Sequence, residues 1–340
     1  MARLFADGFE GGFLNTALNG WWESGALSSA VNGTHKFSGN YALMNSSYHT
    51  VGHSLVTPVS TIYFAFKFYM TLNPNPSGLP YFSNNSVGRA QFRGALTSGI
   101  YYFYRNNYPA NTETLLDQSS KQTLGQEVWH KLHGKIVISN TVGEVKIYIN
   151  DILEIDFDGD TQGDQSTIDN FYFWINSMTA WYMWYDDVVL DDSDWIGDTR
   201  IQGIVPDGIG SANELTPSTV VDNWTCVDEV PPSETDYVGT VNATTKKDLY
   251  TASDLTGTIG EIMSVSLHSR VARWGDTGIV KKLKHVIKTD GEEFRGDDTD
   301  IPSNAVTIST YTLWQENPDT VASWEEAEVN ALEIGVEVTA

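Results

Sequence analysis

The chain has one cysteine, Cys226, in 340 residues. No disulfide can form within a monomer, and a zinc site built on thiolates is excluded. Cys226 therefore reads as a small core residue. Cations are scarce: 20 Lys and Arg stand against 44 Asp and Glu, for a net charge of −24. Binding to a phosphate backbone or an anionic membrane rests on basic side chains, so this balance argues against nucleic acid and membrane as partners. It suits a solvated outer surface. Long apolar runs are missing too. "TIYFAFKFYM" (61–70) carries Lys67 and is far shorter than the ~18 residues of a membrane-spanning stretch. The opening "MARLFADGFEGG" has no apolar run of the kind a secretion signal needs, so manufacture in a cytoplasm is expected. Helix signals are almost absent.

What is present is alternation. Apolar and polar residues alternate with period two between clusters rich in Asn, Gly, Asp, Ser and Pro, which predicts strands and turns. Strands are expected at 61–70, 99–106, 131–139, 143–150, 152–158, 170–176 and 181–191. After residue 195 the composition shifts to the Gly- and Pro-containing "DDSDWIGDTRIQGIVPDGIGSANELTPSTV". Residues 196–221 read as a connector, between a first domain at 1–195 and a second at 222–340. In the second, strands are expected at 259–274, 280–289, 304–315 and 332–339. One short helix is expected in "SWEEAEVNAL", with Ser323 as N-cap and Glu326 closing a capping box. The 11 Trp, 16 Tyr and 14 Phe fit the same picture, since aromatic residues favour strands. The fold class is all-β, with a smaller β-sandwich following a larger one.

Five stretches then follow in a familiar order: "LFADGFEGG" (4–12), "FSGNYALMN" (37–45), "TIYFAFKFYM", "WHKLHGKIVI" with "GEVKIYIND" (129–151), and "YMWYDDVVLDD" (182–192). In that order they resemble the concanavalin A-like, laminin-G-like jelly rolls. The resemblance covers roughly residues 1 to 195. It implies an opening strand, a Trp-led strand, a hairpin, and a closing strand that returns beside the first. In the second half, "NWTCVDEVPPSETDYV", "KKDLY" and "ENPDTVASWEEAEVNALEIGVEV" resemble a module of tailed-bacteriophage virion proteins. That resemblance implies a virion part with other virion proteins as partners, in a homo-oligomer of the trimeric kind common there.

The most acidic strand is "ILEIDFD" (152–158). It resembles the E-x-D-x-E signature of a jelly-roll glucanase family. That likeness would make Glu154 the nucleophile, Asp156 a helper and Asp158 the acid. Asp158 is one methylene short of the Glu the signature has. Along a flat strand Glu154 and Asp158 lie ~13 Å apart, whereas a retaining pair needs carboxyls about 5–5.5 Å apart. The alternative is a hairpin turning at Asn150-Asp151, with Leu153, Ile155 and Phe157 facing the core and the three acids facing water. Asp156, Asp158 and Asp160 also occupy alternate positions that could offer oxygens to calcium. The EF-hand pattern fails, because Thr161 and Thr167 stand where Gly and Glu are required. "YDDVVLDDSDW" is a second such candidate. His130 and His133 fall on opposite faces of a strand and cannot easily share a metal. Metalloprotease, nucleophile-elbow and phosphate-loop motifs are lacking.

The aromatic run "FYFWINSMTAWYMWYDD" (171–187) splits by alternation. Phe171, Phe173, Trp181, Met183 and Tyr185 fall on one set of faces, and Tyr172, Trp174, Tyr182 and Trp184 on the other. One set is core. The other is either covered at an interface or exposed as a platform for a glycan. Trp174, Trp181, Tyr182, Trp184 and Trp22 are the residues this reading nominates. "YYFYRNNY" (101–108) is a further aromatic and polar stretch to which the sequence assigns no role. The sequence thus points to a non-enzymatic virion protein, a tail appendage or head decoration, with host-surface glycan as a possible ligand. Its rivals are a glycosidase using Glu154 and Asp158 and a free carbohydrate-binding module.

Overall fold

The computed structural model describes residues 3–12, 30–46, 50–71, 77–84, 89–97, 100–107, 112–120, 124–163, 165–174, 182–241, 245–273, 282–302 and 307–339. The chain divides into two units, one ending at Ile201 and the other running on from Gln202.

The first unit is a two-sheet, jelly-roll sandwich. Its strands are β1 (Arg3–Asp7), β2 (Ala30–Asn32), β3 (Ala42–Ser46), β4 (Thr50–Val59), β5 (Thr61–Met70), β6 (Ser77–Asn84) and β7 (Arg89–Thr97), then β8 (Ile100–Asn107), β9 (Thr112–Gln118), β10 (Trp129–Val137), β11 (Gly143–Ile149), β12 (Ile152–Gly159), β13 (Ile168–Trp174) and β14 (Tyr182–Asp191). One sheet runs β12-β11-β10-β5-β14-β3-β2, with β1 also on β14; the other runs β4-β13-β6-β7-β8-β9. The sheets are glued by rings. Phe64 meets Phe82 at 4.9 Å, Phe66 meets Phe173 at 5.1 Å, and Tyr185 stacks on Phe173 at 3.8 Å. β5 shows how alternation builds this: Phe64, Phe66 and Phe68 point inward and are fully buried, while Tyr63, Lys67 and Tyr69 take the outer face.

The closing strand does return beside the first. The N-terminal half of β14 pairs with β3 and its C-terminal half with β1, so one edge of β14 is served by two strands in turn. Asp186 and Asp187 sit at the handover, where a bulge shifts the register between Asp186 and Val189 and Asp187 takes a left-handed φ of 48°. Both are fully buried. Asp186 Oδ2 accepts the backbone N–H groups of Phe37 (2.9 Å) and Ser38 (3.1 Å), and its Oδ1 accepts that of Asp187 (2.8 Å). Asp187 Oδ1 accepts the Ser38 hydroxyl (3.0 Å) and the Ile201 N–H (2.9 Å). Burial, reinforced by the Asp187 carboxylate, pushes the Asp186 pKa up to about 8 against the pull of these donors.

The second unit contains β15 (Pro206–Asn213), β16 (Thr216–Pro217), β17 (Val238–Gly239), β18 (Lys246–Ala252), β19 (Val265–Val271) and β20 (Lys282–Thr289), then β21 (Glu292–Arg295), β22 (Thr299–Asp300), β23 (Ile308–Trp314), the helix α1 (Glu326–Asn330) and β24 (Glu333–Thr339). A sheet of order β15-β18-β24-β20-β21, with β22 also on β20, carries the core; β19 and β23 form a separate ladder. Ala252, Ile287, Trp324, Val329, Leu332 and Ile334 form one cluster, which Val265, Leu267 and Trp314 from the β19–β23 ladder cover. Asp248 is the polar hub. Fully buried, it accepts the N–H groups of Glu214 (2.6 Å) and Leu215 (2.7 Å), the Asn223 amide (2.6 Å) and the Tyr250 hydroxyl (2.7 Å).

Three sequence expectations are corrected here. Residues 196–221 are not a connector. Ile196 is buried against Ala65 and Val189, and 206–213 form the edge strand β15. Gly210 belongs to a bulge between Ile209 and Ala212, where a Cβ on it would lie 2.4 Å from the Leu249 carbonyl. The capping box exists but lies two residues on. Glu325 is the N-cap and its N–H is accepted by Glu328 at 2.8 Å, because Trp324 and the preceding residues are drawn into isolated bridges. The strand expected at 259–274 is confined, among the described residues, to 265–271.

Two outcomes follow. Asp186→Asn swaps one acceptor oxygen for an amide that must confront backbone donors, so above pH 8, where the carboxyl is ionised, it should lower the stability of the first unit by ~1–3 kcal/mol in urea titrations. In the second unit His285 is 1 % exposed, bonded through Nδ1 to Thr312 Oγ1 at 2.9 Å, and burial lowers its pKa to about 3, with His268 adding a smaller push. The folded form thus holds fewer protons than the unfolded one below the ordinary value of 6.5. Its stability is full above that pH and falls as pH drops toward 3, by up to ~1.4 kcal/mol per pH unit from this group. Unfolding titrations between pH 7 and 5 should show that slope, and His285→Gln should flatten it.

Candidate functional site: a tyrosine row on the six-stranded sheet

Strand register assembles one row across five strands. Gly52 of β4 pairs with Tyr172 of β13, Tyr172 with Tyr81 of β6, Tyr81 with Arg93 of β7, and Arg93 with Tyr104 of β8. Directly paired residues share a face. The alternate residues Val51, Phe171, Phe82, Phe92 and Phe103 are fully buried in the sandwich, so the row belongs to the outer face. The rings of Tyr81, Tyr104 and Tyr172 are half-buried, and Tyr102 stacks beside Tyr104 with centroids 6.2 Å apart. Gly52 is what lets Tyr172 lie across β4. A Cβ there would stand 1.9 Å from a Tyr172 ring carbon. A polar row runs alongside: Ser54 donates to Asn170 Oδ1 at 2.5 Å, and Ser83 is paired with Asn170 in register.

Such a face offers flat apolar rings that carry phenol hydroxyls, with Asn170 and Ser83 buried beside them. It can stack on one side of a ring-shaped ligand while hydrogen-bonding its edge. Gly52, Tyr172, Tyr81, Arg93 and Tyr104 include no carboxylate and no imidazole.

The residues nominated from sequence are not gathered at this row. β13 and β14 are not neighbours; they lie in opposite sheets and face each other through Phe173 and Tyr185. Trp184 is buried on the outer face of the eight-stranded sheet, clustered with Ala42 and Tyr69 and met edge-on by His35 at 4.4 Å. It is packing, not platform. Tyr182 is 38 % exposed at the end of β14, 5.8 Å from Trp184. Trp174 ends β13 opposite Thr50 and Gly78, and its side chain lies outside the described residues, as do Trp22 and Trp181.

The acidic strand is a hairpin partner, turning at Asn150-Asp151 with both φ values left-handed at 52° and 66°. A bulge opposite Tyr148 breaks the expected alternation. Leu153 is exposed and Glu154 buried, with the Ser120 hydroxyl 3.5 Å from Glu154 Oε2. Asp158 is exposed and paired in register with Glu144. The two acids thus occupy different environments and form no matched pair. Two of the three calcium candidates face cations. Asp160 pairs with Arg105 at 2.8 Å and Asp156 lies 4.0 Å from Lys146 Nζ. Among the described residues no three His, Cys, Asp or Glu are grouped to hold a metal. His130 faces the core, with Nε2 2.9 Å from the Gly125 carbonyl, and His133 the outer face, stacked on Tyr148, as the strand period requires.

No protein-family model matches the chain, and no curated protein matches it. Among solved structures, it is similar to an endo-β-1,4-glucuronan lyase from the fungus Trichoderma reesei, at 15 % identity and TM-score 0.45 over 56 % of this chain and 96 % of that one. The cellulose-induced protein Cip1 gives 14 % identity and TM-score 0.42 over 58 % and 99 %. The binding domain of botulinum neurotoxin serotype D gives 12 % identity and TM-score 0.43 over 93 % and 79 %. At these levels no residue role passes from those proteins to this one.

The row's geometry gives one expectation. Gly52→Val should force Tyr172 off β4 and destabilise the first unit by ~1–3 kcal/mol in thermal or urea melts, the usual cost of overpacking.

Proposed function

We propose that this chain is a non-enzymatic glycan-binding protein, a structural part of a tailed-phage virion. Its jelly roll presents the tyrosine row to host-surface glycans and its second unit holds to other virion proteins. The observation that carries the binding role is the row itself: three half-buried phenol rings on one sheet face, set by register and by the bare Gly52. Pyranose rings stack on such faces through their C–H groups, while the phenol oxygens take the sugar hydroxyls. Binding without cleavage accords with Glu154 and Asp158 standing in different environments and with the absence of a carboxylate from the row. The virion half of the reading rests on the likeness of the second half's sequence to phage modules. An acidic, cysteine-poor chain accords with it.

On a glycan array, wild type should retain a defined subset of glycans and release no reducing sugar from them. Tyr104→Ala and Tyr172→Ala should each weaken that binding at least tenfold with the fold intact by circular dichroism. Retention unchanged in both variants would sink the row as the site. Gold-labelled antibody on purified particles should decorate heads or tails; unlabelled particles would remove the virion assignment and leave the glycan reading standing.

A further inference from the structure

The opposite sheet carries a second constellation, around Trp195. The loop after β14 is pinned at both ends. Asp191 Oδ1 accepts the Ser193 N–H (2.8 Å), the Ser193 hydroxyl (2.9 Å) and the Asp194 N–H (3.2 Å), and Ile196 plugs into the cluster of Ala65 and Val189. Trp195 is therefore held, not free, yet 39 % of it stays exposed. Its ring meets three others edge-on: Tyr63 at 5.6 Å, His133 at 5.9 Å and Tyr148 at 5.7 Å. His133 and Tyr148 are themselves stacked, 4.8 Å apart and nearly parallel.

Lysines border this nest. Lys135 lies over the Tyr63 ring at 5.6 Å. Glu144 is shared by Lys135 (2.6 Å) and Lys146 (2.8 Å), and Asp198 by Lys67 (3.0 Å) and Lys131. With Asp156 near Lys146, the ion pairs of this face join four ammonium groups to three carboxylates, and Asp158, level with Glu144, adds a fourth carboxylate, so the face is locally balanced on a chain whose net charge is −24. Asp192 and Asp194 lie on the loop side of Trp195, and Asp194 is engaged in accepting the Trp195 N–H at 2.7 Å.

We infer that Trp195, on the nest of Tyr63, His133 and Tyr148, is a second saccharide site, separate from the tyrosine row, that takes an acidic sugar. The indole stacks on the pyranose, and the sugar's carboxylate points to Lys135 and Lys146, away from the loop aspartates. Preorganisation favours this role, because an aromatic already fixed by its neighbours loses little freedom on binding. Charge selects the ligand: a neutral sugar takes only ion–hydroxyl hydrogen bonds from the two lysines, and an acidic one pairs its carboxylate with them in stronger charge-assisted bonds.

The test uses the full chain with a galacturonic acid hexamer as probe, maltohexaose as its neutral counterpart and a hexaglutamate peptide as the non-sugar anion, read by calorimetry. The galacturonate hexamer should bind, more weakly at higher salt. Trp195→Ala should reduce its affinity at least tenfold, Trp195→Tyr should retain most of it, and Tyr104→Ala should leave it unchanged. Lys146→Glu, at a half-buried position beside the nest, should weaken it without changing an aromatic residue. No binding of the hexamer would overturn the inference, as would full affinity in both Trp195→Ala and Lys146→Glu. Maltohexaose binding equally well, or hexaglutamate competing equally well, would overturn it too. Loss in Tyr104→Ala alone would assign the ligand to the tyrosine row instead.

Discussion

The first unit depends on how β14 changes partners. A strand that pairs first with β3 and then with β1 must leave backbone donors unserved where one partner stops and the next begins. Asp186 and Asp187 fill that gap from within the strand: Asp186 takes the N–H of Asp187 in β14 itself, and the pair takes those of Phe37, Ser38 and Ile201 from the segments beside it. Buried donors left unpaired are costly, so two carboxylates are tolerated where apolar residues would be expected. The bulge that accommodates them also resets the alternation of β14. That is how Val189 comes to lie opposite Ala65 and Asp191 opposite Tyr63. The floor beneath Trp195 follows from this local correction. The second unit uses the same device once more, in Asp248, where four donors converge on one buried carboxylate.

The tyrosine row has a different origin. No single strand encodes it, since each contributes one residue. It exists because the pairings of β4, β13, β6, β7 and β8 bring those residues level. A slip of one residue in any ladder would send a tyrosine into the core and a phenylalanine out to water, so the packing of Phe82, Phe103 and Phe171 enforces the row. Core and surface are specified together.

Much of this was legible in the sequence, and the reasons are local. The alternation of "TIYFAFKFYM" set β5 to the residue, and Asn150-Asp151 announced its hairpin, because period and turn chemistry are written in neighbouring residues. "YYFYRNNY" stood out as an aromatic stretch, but its use required knowing which strands lie beside it. The bulge that buries Glu154 depends on Tyr148 across the ladder, and the placement of β13 and β14 in opposite sheets depends on distant pairings. Alternation cannot see either. Edge strand β15 was hidden by its glycine and serine content, which in isolation reads as loop. Lys67 was visible as an interruption of an apolar strand. Its burial, with the ammonium held by the Thr199 carbonyl at 2.7 Å, follows from a loop more than a hundred residues away.

The single thiol has a further consequence. Cys226 is 1 % exposed in the short 3-10 turn Asn223–Cys226, beside the Asn223 that feeds Asp248, and burial raises its pKa. A thiolate forms there readily only when the turn opens. In a chain with no other cysteine, alkylation is then a clock with one hand: its rate counts the openings of the second unit around the Asp248 hub, whatever the first unit is doing.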